Sequence, residues 1–436
     1  MFAIICISQI NAQEIFTVAG NDSIGYTKDS ILATNAGMDP YAVKLDKAGN
    51  LYIADCGNNR IRKVVHSTQI VYTVAGDTTD AAPIGDGGPA TSASLFSPCD
   101  IALDSAGNIY IADKYNNRVR KVTVNNDTIT TIAGNGIPGY SGDNGLSTSA
   151  MLNLPSGLAI DRLGNVYIAD AANNCVRKLT KNADTTTYNI TTYVSGLNFP
   201  NGLAIDNAFN LYIADYGSSN VYKVTKQGLR TIAAGNSTNG FSGDGGLATL
   251  AALSNPSGVV LDYAGNLFIA DEGNYRIREV YQRGDSIGPG DSIRTIAGGG
   301  AYLKDSVLAL KAEFVPFGLT MDSIGTLYIA DGETYRVRDI LNVGTTLGVR
   351  EISASGIDFK LFPNPNNGKF TIETSAPFFD AGKQNLMIFD ISGRLMLSEL
   401  FYGRTVIDAS RFAEGIYTIR LSGKDGVGNK RLVIVR

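Results

Sequence analysis

Gly49-Asn50-Leu51-Tyr52-Ile53-Ala54-Asp55 decides the fold, because its last three residues return five times. They recur as Ile111-Ala112-Asp113, Ile168-Ala169-Asp170, Ile213-Ala214-Asp215, Ile269-Ala270-Asp271 and Ile329-Ala330-Asp331. Successive aspartates are 58, 57, 45, 56 and 60 residues apart. A period of that length, holding several short apolar runs, marks propeller blades, thin sheets that bury their faces only against one another.

Working outward from the phrase, the first five copies each hold four runs. A turn of the form Asp-x-x-Gly-Asn joins the first run to the second, as in Asp46 to Asn50 and Asp161 to Asn165. The Asp carboxylate folds back onto nearby N–H groups and Gly supplies a positive φ, which is hairpin chemistry. Phe209 stands where Gly is expected and Thr326 where Asn is, so those two turns should be strained or rebuilt. Three residues past the repeated Asp comes Asn58, Asn116, Asn173, Ser218, Asn274 or Thr334, each able to cap a turn. Five past it stands Arg60, Arg118, Arg276 or Arg336 in four copies. Every repeated Asp is therefore expected to tie its turn, with an Asp–Arg pair added in those four. Runs at 61–64 and 73–76, with their counterparts, complete the unit, and their nearly unbroken apolarity fits strands covered on both faces.

Pro155-Ser156-Gly157-Leu158-Ala159-Ile160-Asp161, the stretch from Gly164 to Asp170, and Asn117-Arg118-Val119-Arg120-Lys121-Val122 resemble NHL repeats. The resemblance covers roughly residues 14–340 and implies a β-propeller, a scaffold shared by many activities. Thr17-Val18-Ala19-Gly20 has the form of a fourth run yet precedes any blade, and the sixth copy lacks one. The simplest account is that 14–20 closes the last blade and leaves no open edge. The alternative lets 349–354 do so.

Residues 1–13 read as a short secretory signal, too short to span a bilayer and without a basic start. From about 345 the period stops. The Pro363-Asn364-Pro365-Asn366-Asn367-Gly368 phrase, the Asp390-Ile391-Ser392-Gly393-Arg394 turn, Gly415-Ile416-Tyr417 and the basic last run starting at Lys430 follow one another. Short strands with turn residues between them suggest a small sandwich. In this order they resemble the C-terminal sorting domain of the type IX secretion system, which implies export across the outer membrane of a Gram-negative bacterium, with release or attachment at the surface. The chain is thus read as all-β: a signal at 1–13, a six-bladed β-propeller at 14–342, a linker at 343–356 and a small Ig-like β-sandwich at 357–436, the last engaging the type IX machinery.

A net charge of −4 with dispersed Lys and Arg argues against nucleic acid or an anionic membrane as partner. Candidate ligand residues lie in the loops entering blades two, three and five, spelled Gly85-Asp86-Gly87-Gly88, Gly142-Asp143-Asn144-Gly145 and Gly243-Asp244-Gly245-Gly246. Joining an outer strand to the next inner one, these loops are expected over one mouth of the ring. There Asp86, Asp143 and Asp244, with Tyr140 and Phe241, would line a ligand site. The same loops are also read as tight turns whose Asp caps a short helix, and that reading outweighs a Ca²⁺ site, which wants six or more oxygens where each loop offers one carboxylate. No cofactor is expected, Ca²⁺ being the ion such loops would suit. Cys56 and Cys99 border neighbouring blade ends and could pair if geometry allows. His66 is the only His and sits in a connection, so zinc and Ser-His-Asp chemistry lack support. Propellers similar to this one that act as metal-dependent lyases or lactone hydrolases rely on His ligands missing here. The expectation is a non-catalytic module binding a protein, peptide or glycan. A metal-dependent lyase or hydrolase at the axial mouth, using Asp100 with Asp86, Asp143 or Asp244, is the alternative.

Overall fold

The computed structural model describes residues 13–77, 84–182, 186–282, 284, 286–341, 343, 359–362, 368–374, 384–390, 395–401, 404–423 and 426–434. The chain divides into two compact units, Met1–Thr346 and Leu347–Arg436. Among the described residues there are strands and single 3-10 turns but no α-helix.

In the first unit the strands form six antiparallel sheets of four or five strands. Blade one runs Pro40–Leu45, Leu51–Asp55, Arg60–Val64 and Ile70–Ala75. The first strands of successive blades contact one another in cyclic order, and Pro316–Met321 of the sixth returns to Pro40–Leu45 of the first. They approach so closely at the axis that a Cβ on Gly157 would lie 1.9 Å from the Asn201 carbonyl oxygen, and one on Gly258 2.3 Å from that of Phe317. Glycine is the residue that permits this.

Hydrophobic layers lie between blades. Ala42, Ala54 and Ile61 of blade one meet Ile101, Ile111 and Val122 of blade two. At the seam, Ala330 and Val337 of blade six and Ala19 meet Val43 and Ile53. Ala19 belongs to Glu14–Ala19, which pairs antiparallel with Arg336–Ile340, the third strand of blade six, setting Phe16 opposite Asp339 and Thr17 opposite Arg338. The chain's first described strand thus fills the outer place of its last blade and covers that edge. Residues 349–354, the alternative closing run, lie outside the described residues, as do 1–12 and all of 343–356 except Val343.

The two irregular hairpins keep their geometry. Asp206 Oδ1 still accepts the N–H groups of Ala208 and Asn210, and Phe209 takes the left-handed conformation itself, with φ of 65°. Strain is confined to that residue. Asp322 likewise accepts the N–H of Thr326 at 2.8 Å, so the turn itself survives without the Asn.

One departure lies half-buried beside the seam. At the fourth residue of the third strand, blades one to three carry Lys63, Lys121 and Lys178, whose ammonium groups lie 5.2, 5.3 and 5.3 Å from the ring centres of Tyr52, Tyr110 and Tyr167. Blade six places Asp339 there, opposite Tyr328. Its Oδ1 is buried with no hydrogen-bond partner among the described residues. Burial first, then the nearby Asp305 and Asp322, push its pKa up to about 6.

The second unit stacks a three-stranded sheet (Phe359–Phe362, Lys369–Thr374, Arg404–Asp408) and a four-stranded sheet (Leu395–Phe401, Gln384–Phe389, Gly415–Gly423, Gly426–Ile434) around one core. Phe370, Ile372 and Ile407 from the first face Leu386, Ile388, Ile419 and Leu432 from the second. This is a small β-sandwich. Residues 363–367 and 391–394 lie outside the described residues.

Candidate functional site

The repeated aspartates act first as turn ties. Asp55 Oδ1 accepts the Asp39 N–H at 2.7 Å and the Asn58 amide at 2.7 Å. Asn116, Asn173, Ser218, Asn274 and Thr334 donate to their own Asp in the same way, so all six expected caps are present. The expected Arg is not the ion-pair partner. Arg60 turns back to the Asn58 carbonyl, as Arg118 and Arg276 turn to those of Asn116 and Asn274. The pair is made by Arg62, two residues deeper on the same face of the strand, at 3.4 Å from Asp55. Arg120, Arg177, Arg278 and Arg338 repeat it at 3.2–3.7 Å. All five guanidinium groups are fully buried. Blade four has Tyr222 at that place and no such pair.

Each buried Arg has a second carboxylate at its outer end. Asp86, Asp143 and Asp244, the three candidate ligand residues, lie 2.8, 2.8 and 2.7 Å from Arg120, Arg177 and Arg278. Asp29 and Asp305 do the same for Arg62 and Arg338. Tyr140 and Phe241 cover the guanidinium groups of Arg177 and Arg278 at 5.0 and 4.9 Å, and Tyr26 covers that of Arg62. Although desolvation works the other way, hydrogen bonds from Thr192, Arg177 and Tyr140 hold Asp143 below the usual carboxylate range. The loops do not overhang the axis. They run beside the outer strand of their own blade: Gly145–Leu146 pairs with Tyr188–Val194, and the N–H groups of Gly87 and Gly245 donate to the carbonyls of Ile129 and Ile293. Nor does the Asp cap the 3-10 turns that follow, which have no side-chain cap. The five candidate residues therefore stand on three separate blades at the outer edge. Asp29 and Asp305 escaped sequence reading because their loops lack the Gly-Asp phrase. Their 33-residue spacing to an Arg, against 34 in the other blades, was the available signal.

What does converge is the set of positions where the copies disagree. The residue after Ile-Ala-Asp is Cys56, Lys114, Ala171, Tyr216, Glu272 or Gly332, and the residue after the Pro that opens each inner strand is Tyr41, Cys99, Ser156, Asn201, Ser257 or Phe317. Both positions lie at the end of the ring where the second strand turns into the third, around the axis. Tyr41 accepts the Asn201 amide at 3.0 Å, a contact between blades one and four, and stacks on Phe317 with ring centres 4.7 Å apart. The Lys114 ammonium lies 5.8 and 5.9 Å from the ring centres of Tyr41 and Tyr115, and no carboxylate pairs with it among the described residues. Tyr216 donates to Glu272 at 3.3 Å. Burial pushes Glu272 up to about 7, opposed by hydrogen bonds from Ser257 and Tyr216 and by the charge of Lys114.

Below this mouth the shaft is closed. Asp100, where other blades have Gly or Ala42, accepts the Leu158 N–H at 2.7 Å and lies 3.8 Å from Lys44. The axial lining leaves about 20 Å³, room for about one water. Asp100 is thus at the axis, remote from the role shared by Asp86, Asp143 and Asp244, and among the described residues no three His, Cys, Asp or Glu side chains gather to hold a metal. Cys56 and Cys99 are both free. The Cys56 thiol contacts Ser97 Oγ at 3.0 Å, while that of Cys99 points at the Pro155 and Ser156 carbonyls.

Comparison with known proteins agrees with this architecture. The NHL repeat model matches residues 97–122 and 152–179, and that of a secretion system C-terminal sorting domain matches 360–435. NHL repeat-containing protein 2 of Gallus gallus is 34% identical over 128 residues, 29% of this chain and 17% of that protein. Teneurin-1 of Mus musculus is 27% identical over 299 residues, 58% of this chain and 11% of that one. The chain thus spans less than a fifth of either relative. An auxiliary nutrient binding protein from Bacteroides ovatus superposes with a TM-score of 0.56 at 17% identity, over 75% of this chain and 76% of that one. A protein of unknown function from Bacteroides thetaiotaomicron gives 0.55 at 19%, over 76% of each. At such identities the likeness is one of fold, an all-β propeller. The chain carries NHL repeats ahead of a sorting domain that marks it for type IX secretion and an extracellular or cell-surface location.

Proposed function

We propose that the chain is an exported binding module that takes its ligand at the axial mouth around Tyr41, Lys114, Glu272 and Phe317, without catalysis. One observation carries the reading: the repeats vary little in their strands and turns, whereas the position after Ile-Ala-Asp at the axial mouth is a different residue in all six copies. Uniform positions answer to packing, whereas a ring of unlike side chains at a shared opening gives a surface with direction, able to tell one ligand from another. The nutrient binding name of one structural neighbour supports a binding role. Residues 357–436 would engage the type IX machinery, and the propeller would be released or held at the outer surface of a Gram-negative cell.

Glycan and peptide arrays probed with the full chain test this. Tyr41→Ala and Lys114→Ala should abolish the strongest signals, and Tyr140→Ala at the outer edge should leave them. Binding that survives both mouth substitutions and fails with Tyr140→Ala would place the ligand at the rim and overturn the proposal.

A further inference from the structure

Lys114 is the unusual group of the mouth. Its ammonium lies against two aromatic faces, and no carboxylate pairs with it among the described residues, whereas third-strand arginines such as Arg177 hold a carboxylate at both ends. A half-buried cation held this way is a ready partner for an anion brought by a ligand. Next to it the Tyr41 and Phe317 rings stack on one another, inclined by 23°, an aromatic wall beside the cation. The closed shaft beneath admits no side chain, which disfavours a peptide anchored by insertion and favours a ligand that lies flat. Beside it Tyr216 and Glu272, each partly exposed and bonded to one another, can exchange that hydrogen bond for one to a hydroxyl.

We infer that the mouth recognises an acidic glycan, a uronate ring set against the Tyr41–Phe317 stack with its carboxylate on Lys114. This rests on the mouth being the ligand site and adds the ligand's chemistry. Glu272 then tunes the affinity. The groups facing it are Tyr216, Ser257, Lys114 and Tyr41; burial raises both tyrosines, and Asp39, also raised by burial, and Cys56 lie farther round the mouth. With Glu272 at about 7, its negative charge is present at pH 8 and largely gone at pH 6. Binding of a carboxylate should therefore strengthen as pH falls.

The test is calorimetric titration of the full chain with oligomers of galacturonate, glucuronate and mannuronate, each beside its methyl ester, at pH 6 and pH 8. The expected result is that at least one acid oligomer binds and its ester binds at least about tenfold more weakly. Lys114→Met should remove that difference while the thermal melt stays unchanged. Acid binding should rise by about tenfold from pH 8 to pH 6, and Glu272→Gln should make it high and flat. Failure of every acid oligomer to bind at millimolar concentration, or tighter binding of an acidic peptide, overturns the inference. Equal binding of acid and ester, lost in Tyr41→Ala, overturns the carboxylate assignment and leaves the mouth as the site. Binding indifferent to Tyr41, Lys114 and Glu272 alike overturns both.

Discussion

Asp339→Asn should stabilise the propeller at neutral pH and do nothing in acid. Asp339 is half-buried against Tyr328 and the closing strand, with its buried Oδ1 unpartnered among the described residues, and its pKa is raised from 3.8 to about 6. A carboxyl whose folded pKa lies above its unfolded value favours folding while both states are protonated, below about pH 4. That contribution is lost as pH rises through 6. The rise from 3.8 to about 6 corresponds to about 3 kcal/mol between strong acid and pH 8, most of it lost between pH 4 and pH 6. Asn keeps the shape and has no charge to desolvate, so at pH 8 the variant should gain close to that amount. Urea unfolding of both proteins, from pH 4 to pH 8, measures it through the midpoint at constant slope. The gain should be small at pH 4, pass half its value near pH 5 and level off above about pH 6.5. A gain independent of pH, or none at pH 8, would refute the reasoning.

Arg177→Met leaves Asp170, which is fully buried, facing no cation, and should cost about 3–5 kcal/mol. Asp143→Ala, at the one-third exposed end of the same Arg, should cost about 1 kcal/mol or less; equal costs for the two in urea unfolding would contradict the buried pairing. Removing Glu14–Ala19 bares the third strand of blade six. Sedimentation should then show concentration-dependent self-association absent from the intact chain, and a monomer at all concentrations would speak against an exposed edge. Deleting 357–436 should trap the propeller in the periplasm, checked by cell fractionation, and normal levels outside the cell would deny the sorting role.

Much of the blade was legible because its rules are local. The hairpin Asp, the capping Asn three residues past each repeated Asp and the apolar strands act within a few residues of one another. Those readings carried over to the turns at Phe209 and Thr326, where the backbone held. Local reading failed where two candidates lay within one strand. Arg60 and Arg62 share a face, and only the packed blade decided that the shallower one serves a carbonyl and the deeper one the carboxylate. Nor did it reach the structural partners of Asp86, Tyr140, Asp143, Phe241 and Asp244, because the buried arginine each one serves is 34 or more positions away. The mouth lay furthest from view. Tyr41 and Asn201 meet across 160 residues, and no period or spacing announces a contact made only once the ring has closed. The sequence by itself determined the repeated unit, since each unit's turns and strands are held by near neighbours. Tertiary structure alone decided which side chains share the axis, since that depends on all six blades packing against one another.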